Sequence, residues 1–164
     1  MTKVALQLLD NANASQAAKG EVARGILERT VNKDAFQKAV LAASFLDVRF
    51  EKPSGEIVAG LSNELVLRLI LYGTERGSNA NDSIDLQVRL YSILFSSAIG
   101  YTSDGIIHTR DKFFEHAEPV EVAGHWMHEW MHAAGFLHDF RRTSRREQSV
   151  PYLVGELVTQ FGLE

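Results

Sequence analysis

Apolar and polar positions along the chain fall into alternating and helical runs. Residues 15–30, SQAAKGEVARGILERT, read as a helix weakened by Gly20 and Gly25, each costing about 1 kcal/mol against alanine. Asn32 is placed to cap a second helix, KDAFQKAVLAA. FLDVRF, 45–50, alternates and then meets Pro53, Ser54 and Gly55, which predicts a short strand ending in a turn. Ser62 suits the start of NELVLRLILY and Gly73 its end. That helix should pack against a sheet through Leu65, Leu69 and Tyr72, with Val66 and Ile70 beside them. The polar run at 74–83 predicts a surface loop. The clearest strand follows, where Ile84, Leu86, Val88 and Leu90 alternate with Asp85, Gln87, Arg89 and Tyr91. AIGYT and IIHT flank Ser103, Asp104 and Gly105, the signature of a β-hairpin with a tight turn.

Pro119 fits a first helical turn, and VEVAGHWMHEWMHAA continues from it almost without charge, so this helix is expected to be buried. Gly135 ends it, and a last helix starts near Pro151 and runs through LVGELVTQF. The predicted order is helices, then a small sheet, then a central helix and a short C-terminal part. This is one α+β domain over 1–164, with a mainly helical part at 1–80, strands and the central helix at 84–138, and the remainder at 139–164. The N-terminal third is expected to be scaffold.

Length and composition agree with one packed domain, since 164 residues at 45% hydrophobic can bury a core. A formal net charge of -4 argues against general nucleic-acid binding, which needs a surplus of Lys and Arg. With no cysteine, disulfides, thiolate ligands and a cysteine nucleophile are excluded, and so is latency through an inhibitory thiolate on a metal. The apolar run before Asp10 is too short for a secretory signal, and no stretch approaches a membrane span. The expectation is a soluble monomer, cytoplasmic or exported by a signal-independent route.

The chemistry concentrates in HEWMHAAGFLHD, 128–139. On a helix His128 and His132 lie one turn apart on one face and can share a cation. Glu129 is displaced around the helix from both, which suits it to a metal-activated water better than to the metal. A catalytic zinc takes three protein ligands and keeps one position open. Gly135 allows a sharp turn at the helix end that would bring His138 back toward the metal.

His128, Glu129, His132, Gly135, His138 and Asp139 together make a pattern that resembles the long zinc-binding signature of metzincin metallopeptidases. The resemblance spans roughly 84–155. It implies a compact domain with a small twisted mixed sheet, a central zinc-binding helix and a short C-terminal subdomain. It further implies one catalytic Zn2+ on His128, His132 and His138, Glu129 as general base, and Asp139 as anchor of the ligand loop. The reaction implied is endopeptidase hydrolysis by a zinc-activated water, with a peptide or protein substrate added along an exposed strand edge. The chain departs from the family in lacking a methionine after the motif, its methionines being Met1, Met127 and Met131. SVPY, 149–152, is the nearest substitute, and by resemblance Tyr152 takes a catalytic place at the zinc or the developing oxyanion.

Other readings compete. Glu156 stands downstream in a predicted helix, where a gluzincin-type hydrolase would find its third ligand. A non-catalytic zinc-binding interaction module would use the same ligands. His125 reads as a satisfied polar residue near the start of a buried helix, and His108 and His116 as surface or loop residues. Trp126 and Trp130 read as core, and Arg141, Arg142, Arg145 and Arg146 as a solvated loop, with a substrate-attracting basic rim as the alternative.

Overall fold

In a computed structural model, residues 1–9, 12–75, 80–93 and 98–163 are described. The chain opens with a strand, β1 (Lys3–Leu9), rather than with a helix. Val4, Leu6 and Leu8 alternate with Lys3, Ala5 and Gln7, so this short apolar run is a half-buried strand whose partner lies some eighty residues on. Helices α1 (Ala14–Val31) and α2 (Asp34–Ala42) follow as expected. Asn32, however, closes α1 instead of capping α2. Its amide donates to the carbonyls of Glu28 and Thr2 and accepts the Thr2 N–H, tying the helix end to the chain start.

The strand expected at 45–50 shrinks to β2 (Phe50–Glu51), antiparallel to β3 (Ile57–Val58). The residues before it spend their backbone bonds elsewhere. Leu46 N–H donates to the Gln148 carbonyl, Val150 N–H to the Asp47 carbonyl, and Leu137 N–H to the Arg49 carbonyl. Helix α3 (Asn63–Tyr72) is capped by Ser62 and stopped by Gly73 as read, but its buried face is Val66, Leu67 and Ile70. Leu65 and Tyr72 are exposed, so the packing stripe is rotated by part of a turn from the one expected.

Strand β4 (Ser83–Tyr91) buries Ile84, Leu86 and Val88, and β5 (Gly100–Ser103) and β6 (Ile106–Arg110) form the expected hairpin, with Asp104 and Gly105 both at positive φ. The sheet order is β1-β4-β6-β5, with β1, β4 and β6 parallel and β5 antiparallel at one edge. It is a small mixed sheet, as expected. The loop expected at 74–83 lies partly outside the described residues. Two short helices were not foreseen, α4 (Asp111–His116) and α6 (Ser144–Glu147).

Between them runs α5 (Pro119–Ala134), whose first turn is closed by the Glu121 carboxylate accepting the Glu118 N–H at 2.7 Å. α7 (Val150–Gly162) lies across it. One buried apolar cluster takes in Leu27 of α1, Leu86 of β4, Trp126 and Trp130 of α5, and Val154 and Val158 of α7. Both tryptophans are core residues, as read. The C-terminal part is therefore packed into this core rather than set apart from it. Among the described residues no helix is long and apolar enough to cross a membrane.

Candidate metal centre

Helix α5 presents His128 and His132 one turn apart, and the chain then reverses. Gly135 adopts φ 118°, where side chains other than glycine's are strained, while its N–H and that of Phe136 close the helix on His132 and Met131 carbonyls. Three residues after Gly135, His138 faces the helix again. The ligand atoms of His128, His132 and His138 all lie within 4.8 Å of one another. Tetrahedral zinc at about 2.05 Å from each nitrogen needs nitrogens about 3.3 Å apart. His128 Nε2 and His138 Nε2 are 3.4 Å apart.

Tautomers support the same use. His132 Nδ1 is 2.8 Å from the Phe136 carbonyl and His138 Nδ1 is 2.9 Å from the Asp139 carbonyl. A carbonyl oxygen only accepts, so both Nδ1 atoms carry the proton and both Nε2 atoms keep a lone pair for a metal. Burial also holds the rings uncharged. It depresses His128 well below the ordinary histidine range and His132 to about 4, and it lowers His138. The residues present therefore fit a zinc ion on three neutral nitrogens. Glu156 lines the same cleft but is exposed and is not part of this group among the described residues.

Glu129 is 5% exposed, and burial lifts its carboxyl to about 7. Its neighbour on the edge strand, Thr102, was not anticipated. The Thr102 hydroxyl lies 2.9 Å from both Glu129 Oε2 and the Glu129 carbonyl, so its one proton serves either, and its bond to the carboxylate partly opposes the rise. Strand alternation puts Gly100 and Thr102 toward α5 and Tyr101 away from it, a signal readable once the hairpin register is known. His125 is buried against Thr109, with Nε2 3.3 Å from its hydroxyl, and burial depresses it to about 3. It is a satisfied core residue, as read, with Nδ1 3.9 Å from Glu129 Oε1. His108 is on β6, stacked on Tyr101 at 4.4 Å, and His116 is an exposed helix-end residue.

Tyr152, in the first turn of α7, places its ring 4.5 Å edge-on from His128 and 5.0 Å from His138. Two glycines make this possible. A Cβ on Gly155 would stand 2.8 Å from the Gly124 carbonyl and 3.1 Å from His128 Cβ, so only glycine lets α7 cross α5 this closely. The start of α7 thus stands beside the histidines. Of the arginine run, Arg141 and Arg142 are exposed, while Arg146 caps the Phe140 carbonyl and lies 5.0 Å over the Tyr152 ring.

His128, Glu129, His132, His138, Thr102 and Tyr152 line a cleft of about 1760 Å³ bordered by the edge strand β5. Comparison of the chain with family profiles, curated proteins and solved structures gives no match.

Proposed function

We propose that the chain is a zinc-dependent metalloendopeptidase. The observation that carries this reading is the convergence of three uncharged imidazoles on one point beside a buried carboxyl tuned to about 7, all open to one cleft. His128, His132 and His138 would hold the ion, which supplies a Lewis acid that polarises a carbonyl and lowers the pKa of water.

Glu129 is the proton carrier. When the Thr102 hydroxyl donates to Oε2, Oε1 is left to take the proton of the attacking water and return it to the leaving amine. Burial, which raises this carboxyl in the metal-free chain, favours a group that can both take up a proton and give it back. Tyr152, between His128 and His138, is assigned to the developing oxyanion. A peptide is favoured as substrate because, among the described residues, β5 pairs with β6 on one side and has no strand on the other, and Thr102 joins this edge to Glu129. An extended chain added to β5 would lie along the catalytic carboxyl.

The test is digestion of a complex peptide mixture by the zinc-loaded protein, read by mass spectrometry for new termini. The native chain should generate them, and Glu129→Gln, with the same zinc content, should do so at least about 100-fold more slowly. Zinc-loaded native protein that yields no new termini would leave a metal-binding module without catalysis.

A further inference from the structure

Of the three histidines, His138 stands outside the helix. Its ring Nδ1 lies 2.9 Å from the Asp139 carbonyl, and its Nε2 lies 3.4 Å from His128 Nε2. What holds its segment comes from the N-terminal third. The Asp47 side chain is fully buried, and both its oxygens accept from the Arg49 guanidinium, Nε to Oδ1 at 2.8 Å and Nη2 to Oδ2. The same Nη2 donates to Asp139 Oδ1 at 2.7 Å, one residue beyond His138. Arg145 Nε also lies 3.5 Å from Asp47 Oδ2.

Backbone bonds run parallel to these charges. Leu137 N–H donates to the Arg49 carbonyl at 3.0 Å and Glu51 N–H to the Gly135 carbonyl at 2.8 Å, while Asp47 and Leu46 bond to Val150 and Gln148 at the start of α7. Residues 46–51 are a crosspiece that touches both the turn carrying His138 and the turn carrying Tyr152. Burial alone would raise the Asp47 pKa, but the hydrogen bonds and charge of Arg49, with Arg145, outweigh it and leave it below the usual carboxylate value. Arg49 is correspondingly held above its ordinary range, chiefly by the hydrogen bond to Asp47. Two acids and two bases balance, so the cluster adds geometry to the site without adding net charge.

We propose that Arg49, preset by Asp47, is a positioning residue that fixes the third histidine through Asp139 and so sets the affinity of the centre for zinc. The proposal rests on the three-histidine reading. A planar fork is required, because one guanidinium nitrogen pair must grip Asp47 while Nη2 also reaches Asp139, which a lysine ammonium cannot reproduce.

The test is zinc affinity, measured with zinc alone against a competing chelator, on the native chain, Arg49→Met, Arg49→Lys, Asp139→Asn and the Arg49→Met/Asp139→Asn double variant. Arg49→Met and Asp139→Asn should each weaken zinc binding about 10- to 100-fold, the range of a lost partner to a metal ligand. Arg49→Lys should fall between native and Arg49→Met, and the double variant should be no weaker than the weaker single one. Near-UV circular dichroism of the metal-free proteins checks folding, and Asp139→Asn, which leaves the buried Asp47 pair intact, carries the test if Arg49→Met does not fold. Native protein that binds zinc while both single variants bind it within about twofold of native would overturn the clamp alone. Native protein that takes up no zinc would overturn the three-histidine reading and the clamp with it.

Discussion

His128 and His132 stand on a closed sixteen-residue helix whose flanks are buried by Trp126, Met127, Trp130 and Met131. His138 stands on an irregular segment whose order depends on a glycine at φ 118° and on contacts with residues ninety positions earlier. The first half is made by local propensity and packing. The second is made by long-range bonds at a partly open surface. A ligand set divided in this way owes its geometry to the helix and its completeness to the turn.

Stress on the turn should therefore cost more than stress on the chemistry alone. Gly135→Ala is expected to have the largest effect. Its Cβ would stand 2.7 Å from the Glu51 carbonyl at a positive φ. Urea unfolding should show a loss of at least about 1–3 kcal/mol, with zinc uptake falling in parallel.

The next largest effect sharpens the helix side. The folded chain keeps the Glu129 proton up to about pH 7, whereas the unfolded chain gives it up near the ordinary glutamate value. The folded state binds more protons in that window, so this group lowers stability as pH rises through it. The depressed histidines act oppositely, losing stability as pH falls below about 6.5, and they do so equally in both proteins compared. Metal-free Glu129→Gln should thus match the native chain near pH 4.5 and exceed it by up to about 3 kcal/mol at pH 8, read from denaturation midpoints. A constant gap across this range would show that Glu129 is not buried as a neutral acid.

Tyr152→Phe should have the smallest effect of the three. Its ring packing against His128 persists, so zinc content should stay native while peptide turnover falls about tenfold. Unchanged turnover would reduce Tyr152 to a packing residue.

The same division separates what could be read from the sequence and what could not. The buried helix, its proline start and glycine stop, the hairpin at Asp104 and Gly105, and the grouping of His128, His132 and His138 all follow from signals within a few residues. β1 was hidden because an alternating run of seven residues shows its role only beside β4. Asp47 and Arg49 lie in an alternating segment, but nothing local says that they pair with each other and with Asp139 instead of facing water. Asn32 satisfies the rule for either end of a helix, and the carbonyls of Glu28 and Thr2 decide which. In α3, apolar residues on adjoining faces left the stripe undetermined until α2 and β4 packed on one of them. Thr102 needed the hairpin register before it could be placed on Glu129.

The central claim is that one zinc ion binds through all three histidines. Metal content by plasma mass spectrometry, on the native chain and His138→Ala purified side by side without added metal, tests it most directly. The account predicts one zinc per chain in the native protein and little in the variant. Equal zinc in both, or none in the native chain, would contradict it.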